Sequence, residues 1–117
     1  MNHIDRVPRA YRLRMVGSSM VPRIKPGEHV YVDPNHEYRP GDEVMVQTRN
    51  GQMMVKLFTY WRDGQIRLDN VNSGYEPIFL PDEEVDYVHA IVAIERAARR
   101  QSSKGGRCAD DCRDLPA

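Results

Sequence analysis

The sequence predicts a mainly β fold, in the form of a small barrel-like or coiled antiparallel sheet. Turn-forming pairs recur at short intervals through the middle of the chain, and this spacing is typical of strands joined by tight turns. The stretches between the pairs are rich in Val, Ile, Tyr and Met, which favour strands. Apart from a candidate short helix at Ala93–Arg100, no segment repeats its apolar residues at the helical period.

About seven short strands follow from this pattern. In chain order they are Tyr11–Val16, His29–Val32, Glu43–Thr48, Gln52–Trp61, Gln65–Asp69, Glu76–Leu80 and Val85–Glu95. Pro26-Gly27 suits a type II turn, because proline presets the first φ angle and glycine takes the positive second one at little cost. Asn50-Gly51 predicts a two-residue hairpin turn.

The 117 residues suffice for one domain with a modest core. We divide the chain into a short lead (1–10), a dense body (11–96) and a polar tail (97–117) that we expect to be flexible. Lys plus Arg equals Asp plus Glu at 17 each, so composition provides no basic field that would draw this chain onto DNA.

No apolar run is long enough for a membrane span, and the N-terminus lacks the apolar run of a signal peptide. We therefore expect a cytoplasmic protein that makes no membrane contact. Cys108 and Cys112 lie in the polar tail without the spacing of a zinc site, and the four histidines are scattered. No cofactor or metal is expected.

The segment Tyr87–Ile94 is almost continuously apolar, as expected of a strand that is covered on both faces. In so small a domain the second face needs a cover, and a two-fold symmetric dimer is the commonest solution. The alternative is a central strand within a monomer.

A candidate nucleophile lies in the segment Val16-Gly17-Ser18-Ser19-Met20-Val21-Pro22. Glycine and two small hydroxyl residues directly after a strand predict a sharp turn. Such a turn can present a hydroxyl and neighbouring backbone N–H groups to one point, which is what acyl transfer requires. Taken alone, the same residues are also ordinary loop composition.

The second candidate residue is Lys56, which has apolar neighbours on both sides in a predicted strand. Alternation places Lys56 on the same face as Met54 and Phe58. If that face is buried, desolvation lowers the pKa of the lysine and makes its amine a usable general base for a serine. The alternative is an ordinary lysine that faces solvent.

Several segments together resemble the LexA/UmuD/lambda-repressor family of self-cleaving Ser/Lys peptidases, and phage repressors resemble them most. The resembling segments are Gly17–Met20, Lys25–Glu28, Val32–Pro34, Arg39–Val44, Val55–Leu57 and the Asn-x-x-Tyr-x-Pro stretch within Asp69–Phe79. The interval between Ser19 and Lys56 also matches the family pattern. The likeness covers most of residues 14–96.

The resemblance implies a role for each matching residue. Ser19 is then the nucleophile, Lys56 the general base, and the backbone N–H groups of Ser18 and Ser19 form the oxyanion hole. It further implies a homodimeric domain attached to an N-terminal helix-turn-helix that binds DNA. In such relatives a RecA filament stimulates autoproteolysis, which releases repression as part of the SOS response.

The sequence departs from that pattern in two ways. We see no helix-turn-helix before residue 11, and no Ala-Gly or Cys-Gly dipeptide that resembles the family's cleavage bond. We therefore expect that this chain does not cut itself and that DNA is bound only through a domain absent from this sequence. Two alternatives remain: a catalytically silent dimerisation module, and a processing peptidase acting on other chains, against which the missing membrane anchor counts.

Overall fold

A computed structural model describes residues 9–96 and 112–115 of the chain. The strands are β1 (Tyr11–Met15), β2 (His29–Asp33), β3 (Glu43–Thr48), β4 (Met53–Arg62), β5 (Gln65–Asp69), β6 (Ile78–Pro81), β7 (Val85–Glu95) and β8 (Cys112–Leu115), with a short 3-10 helix at Asp82–Glu84. The mainly β prediction is confirmed. Each of the predicted strands is present, and its ends differ from the prediction by no more than a residue or two.

The strands form a single sheet in the order β6-β5-β4-β3-β7-β2-β1-β8. The pairs from β6 through to β1 are antiparallel, whereas β8 runs parallel to β1. Among the described residues, the two end strands, β6 and β8, do not pair with each other. The sheet is therefore open. It is a curled sheet, as predicted, but it does not close into a barrel.

The helix expected at Ala93–Arg100 is wrong for its first three residues. Ala93, Ile94 and Glu95 are the end of β7 and pair with β2. The ladder with β2 satisfies their backbone groups and outweighs the weak local preference for a helix. Residues 97–100 lie outside the described part of the chain, as does most of the predicted tail. Within that tail the described residues 112–115 form β8.

The two-residue hairpin turn is at Asp63-Gly64 and not at Asn50-Gly51. Arg62 pairs with Gln65 across Asp63 and Gly64, whose φ angles are 53° and 79°. Positive φ at both central residues defines the type I′ turn. The loop that contains Gly51, whose φ is 93°, is one residue longer than the Asp63-Gly64 turn. The Gly51 N–H closes it by donating to Thr48 O at 2.9 Å.

The core consists of two clusters of buried apolar residues. The first contains Leu13, Met15, Met20, Ile24, Val30, Val32, Met45 and Val55. The second contains Val44, Val46, Met54, Phe58, Ile66, Leu68 and Val85. Neighbouring residues of β3 and β4 alternate between the clusters, because successive side chains of a strand point to opposite faces. The sheet is thus packed on both faces where β3 and β4 lie.

β7 lies in the interior of the sheet, between β3 and β2. The central-strand interpretation of its apolar sequence is therefore correct for the topology. Its cover ends part of the way along the strand, since Ala90 is 3% exposed whereas Val92, at the irregularity in the pairing with β2, is 44% exposed.

Several carboxylates accept backbone hydrogen bonds in the turns beside them. Asp33 and Asp42 accept backbone N–H bonds from residues two or three positions away in their own turns. Glu28 is the buried case, with 4% exposure. It accepts the Lys25 N–H at 2.8 Å, and Arg96 Nη1 donates to its two oxygens at 3.0 and 3.1 Å. Burial acts to raise the pKa of Glu28, but these bonds outweigh it and the net pKa is lowered.

We predict that Glu28→Gln lowers the free energy of unfolding at pH 7 by about 1 kcal/mol, because it removes a charge-assisted acceptor. A carboxylate with a lowered folded-state pKa stabilises the fold above its unfolded pKa, and this contribution is lost as pH falls through the folded pKa. The variant is thus expected to lose less stability than the parent between pH 7 and pH 3 in urea unfolding. Glu37→Gln, at an exposed position, is the control; equal acid sensitivity of Glu28→Gln and the parent would contradict the prediction.

Candidate active site

The loop from Val16 to Ile24 connects β1 to β2 and carries the predicted nucleophile. Its two ends are joined, because Met15 N–H donates to Glu28 O and Gly27 N–H donates to Met15 O, both at 2.8 Å. Within the loop, Met20 and Ile24 are fully buried in the first core cluster. Apolar anchors thus hold the turn that contains Ser19 against the sheet.

Ser19 is completely buried, with 0% exposure. Its Oγ has no hydrogen-bond partner among residues 9–96 and 112–115. A buried hydroxyl of this kind is uncommon in folded proteins and costs about 1–3 kcal/mol in lost solvation. The Ser19 hydroxyl therefore keeps its full capacity to donate and accept, which a nucleophile needs.

Lys56 lies in the middle of β4 and is 2% exposed. Its face of β4 also carries Met54 and Phe58 of the second core cluster. The amine donates to Asn70 Oδ1 at 2.6 Å and lies 5.9 Å from the centre of the Tyr75 ring. Among the described residues no carboxylate forms an ion pair with it. Burial lowers the pKa of Lys56.

The segment 70–77, between β5 and β6, is bonded to both candidate residues. Asn72 N–H donates to Ser19 O at 2.9 Å, and Asn72 Nδ2 donates to Ser18 O at 3.0 Å. Asn70 accepts from Lys56 and donates through Nδ2 to Glu76 O at 2.8 Å. This segment therefore brings the Ser19 turn and the Lys56 amine to one region of the molecule.

Tyr75 contacts both halves of this region. Its hydroxyl lies 3.4 Å from Ser18 Oγ, while its ring lies beside the Lys56 amine. The ring is 40% exposed, so it lies between the buried groups and solvent. No hydrogen bond joins Ser19 Oγ directly to Lys56 Nζ within the described residues. The two residues are linked indirectly, because the segment 70–77 contacts both of them.

The predicted oxyanion donors are in the same turn. The C=O groups of Ser18 and Ser19 are engaged, with Val21 N–H at 3.2 Å and Asn72 N–H at 2.9 Å respectively. In the described part of the chain, no backbone hydrogen bond is donated by the N–H of Ser18 or of Ser19. The turn thus has its carbonyls fixed and two amide donors beside the hydroxyl.

Sequence reasoning assigned no role to Asn70, Asn72 or Tyr75. A signal for two of them was present in the sequence, since Asn72 and Tyr75 are the polar members of the Asn-x-x-Tyr-x-Pro stretch. Asn70 had no comparable signal. Its importance comes from the antiparallel pairing of Leu57 with Asp69, which places the residue after β5 beside the face of Lys56.

The histidines and cysteines considered in the sequence analysis do not form a second site in the described residues. His89 stacks on Tyr87 with ring centres 4.3 Å apart, and its Nδ1 lies 3.0 Å from the Tyr11 hydroxyl. The described residues contain no cluster of His, Cys, Asp and Glu that could hold a metal ion. His3 and Cys108 are outside the described residues. No helix in the described ranges has the length and apolar character needed to cross a membrane.

Two comparisons with known proteins identify the family of this chain. Residues 3–92 match the family described as Peptidase S24-like. Repressor protein C of Rhizobium phage 16-3 is 34% identical over 97 residues, which cover 76% of this chain and 36% of that protein. The chain therefore spans about a third of the length of this curated relative. Since the family match extends over more than half of the sequence, the chain belongs to the Peptidase S24-like family, as a domain of the LexA, UmuD and phage-repressor type.

Proposed function

We propose that Ser19 and Lys56 form a serine/lysine dyad that cleaves a peptide bond. The observation that carries the proposal is the buried Lys56 amine, which has a neutral acceptor and no carboxylate partner among the described residues. Because burial lowers its pKa, a larger fraction of the amine is neutral near pH 7 than for an exposed lysine. A neutral amine can accept a proton from a serine hydroxyl without a histidine.

The reaction has two steps. In the first, Ser19 Oγ attacks the carbonyl carbon while its proton passes to Lys56 Nζ, and the C–N bond then breaks as the leaving amine takes that proton. In the second, water gives a proton to Lys56 Nζ as its oxygen attacks the ester carbon. The bond from that carbon to Ser19 Oγ then breaks, Oγ takes the proton back, and the acid product leaves. The N–H groups of Ser18 and Ser19 stabilise the negative carbonyl oxygen of each tetrahedral intermediate.

We infer that the domain serves a phage-type repressor. Repressor protein C is a repressor by its name, and this chain resembles a part of it. In the longer protein the dyad would cut a bond that lies outside residues 1–117, with stimulation by a RecA filament. DNA would be bound through a separate N-terminal domain.

We predict that a serine-directed fluorophosphonate probe labels Ser19, and that the labelling rate rises with pH. The rate follows the neutral fraction of Lys56, and its midpoint is expected below the ordinary lysine pKa of about 10.4. Intact-mass and peptide mass spectrometry measure the labelled fraction over time. Ser19→Ala abolishes labelling, and Lys56→Ala is expected to reduce its rate by about a hundredfold or more.

Ser73→Ala is the control, because it removes an exposed serine hydroxyl of the segment 70–77 and leaves Ser18, Ser19 and Lys56 in place. It is expected to retain most of the labelling. If Ser19 stays unlabelled even at high pH, both in the folded parent and in a folded chain shortened to end at Arg96, the enzymatic proposal is wrong and the silent dimerisation module takes its place.

A second prediction tests the electrostatics of Lys56. Asn70→Asp keeps an oxygen beside the amine but adds a negative charge, which favours the ammonium form. The midpoint of the labelling profile is expected to rise by about one pH unit or more, so labelling at pH 7 falls about tenfold. Gln65→Glu, which adds the same charge at the other end of β5, is expected to leave the profile in place. An unshifted profile in Asn70→Asp would exclude Lys56 as the titrating base.

We also propose that the domain forms a homodimer through the outward face of β7. Val92 is 44% exposed in an interior strand of the sheet. Two surface clefts of about 290 and 210 Å³ flank it, and Ile91 and Glu43 line both of them. An apolar residue on such a face is suited to a two-fold symmetric contact.

Val92→Lys is expected to shift the protein from dimer to monomer in sedimentation velocity, because it places a charge in the contact. Phe79→Lys is the matched control, since Phe79 is also exposed, at 46%, but lies on the end strand β6. Loss of the dimer in Phe79→Lys alone, or in neither variant, would show that β7 is not the interface.

A further inference from the structure

β8 occupies the edge of β1 that β2 leaves unpaired. Arg12 lies opposite Cys112 and Met15 opposite Leu115 in a parallel register. A parallel neighbour runs in the same direction as β1, so β8 ends level with the residue after which the chain turns towards Ser19. The carboxyl end of the tail is therefore directed towards the nucleophile turn.

β8 also contacts β4, the strand that carries Lys56. β1 and β4 are not neighbours in the sheet, because β3, β7 and β2 lie between them. The curl of the sheet brings the two strands to either side of β8. The backbone of residues 112–115 thus pairs with the strand leading to the nucleophile and contacts the strand bearing the base.

An extended peptide can use this position only in place of β8. Unpaired strand edges bind peptides by main-chain hydrogen bonds, and the contacts of alternate side chains select which sequence binds. Each backbone group on the outer edge of β1 can serve one neighbouring strand at a time. A substrate strand at this edge and β8 therefore exclude each other.

We propose that the edge of β1 is a groove for an extended peptide, and that residues 112–115 fill it in cis as a competitor of the substrate strand. This inference rests on the proposed peptidase function for its consequence, although the docking itself does not. Because β8 belongs to the same chain, its effective concentration at the groove is on the order of millimolar, which a weakly binding strand needs to compete. The segment acts as an occupant and is not cut.

The test compares the full chain with a chain that ends at Arg96, which retains the partner of Glu28. Hydrogen exchange with mass spectrometry is measured on Ser19→Ala forms, and protection of residues 11–15 is expected to fall at least fivefold on truncation. In the active forms, the rate of Ser19 labelling is expected to rise at least threefold. A synthetic peptide with the sequence of residues 109–117 is expected to slow labelling of the truncated chain, whereas a scrambled peptide is not.

Arg113→Pro in the full chain provides a second route that leaves the chain length unchanged. Proline removes a backbone N–H, and in an end strand this breaks the pairing only where the N–H faces the neighbouring strand. Successive N–H groups of a strand point to opposite edges, so Asp114→Pro is made as well, and at least one of the two variants is expected to reproduce the truncation. Lys104→Pro is the control, because it lies in the tail but outside β8. If the truncated chain does not fold, judged by circular dichroism, these proline variants decide the question.

The outcomes separate the two proposals. Unchanged protection of β1 in the truncated chain, in Arg113→Pro and in Asp114→Pro would overturn the docking of β8. Lower protection with an unchanged labelling rate would overturn the competition and leave β8 as an edge cover. Lower protection with no labelling of Ser19 in any form would contradict the dyad but not the docking. A shortened product that loses residues from the tail would show a substrate in place of a competitor.

Discussion

The amine of Lys56 has been removed from water at the centre of a strand, and the surrounding structure is arranged around that constraint. Desolvation of a charged ammonium is unfavourable unless a carboxylate pairs with it, and among the described residues none does. Its hydrogen bond goes to the neutral Oδ1 of Asn70. A neutral acceptor satisfies an N–H donor without favouring the charged form as a carboxylate would. The arrangement lowers the pKa of the lysine, whereas an ion pair would have raised it.

The segment 70–77 connects the buried Lys56 amine to the Ser19 turn. It begins with the residue that accepts from Lys56, and two residues later Asn72 bonds to the carbonyls of Ser18 and Ser19. A single connection therefore fixes the position of the base relative to the nucleophile turn. The side chains of this segment that bond to the site are amides and a phenol, and its one carboxylate, Glu76, forms no ion pair with Lys56 among the described residues. The polarity of this segment is as important to the site as its path.

The sequence was sufficient for the strands and for proposing the two central residues of the candidate site, but not for their surroundings. Turn residues predicted the strand boundaries. Local alternation placed Lys56 with Met54 and Phe58, since a strand's period is independent of its partners. Whether that face was buried depended on the second cluster, which β5, β6 and β7 complete from distant parts of the chain. The helix at Ala93–Arg100 failed for its first residues for the same reason, because pairing with β2 is non-local. The contact of Asn70 with Lys56 likewise depends on the register of β4 with β5, which the sequence alone does not give.

The complete burial of Ser19 bears on how such a site stays latent. A carbonyl carbon must come within about 3–3.5 Å of the attacking oxygen, so a substrate reaches this serine only if its cover shifts. The bonds that hold the cover are those from Asn72 to Ser18 and Ser19 and the longer contact with Tyr75. Neutral hydrogen bonds of this kind contribute about 0.5–1.5 kcal/mol each. Their sum is small enough for the binding of a strand or of a partner to offset, yet large enough to slow the reaction in its absence. A site built from a buried base and a lightly held cover is therefore suited to cleavage that begins only when something binds.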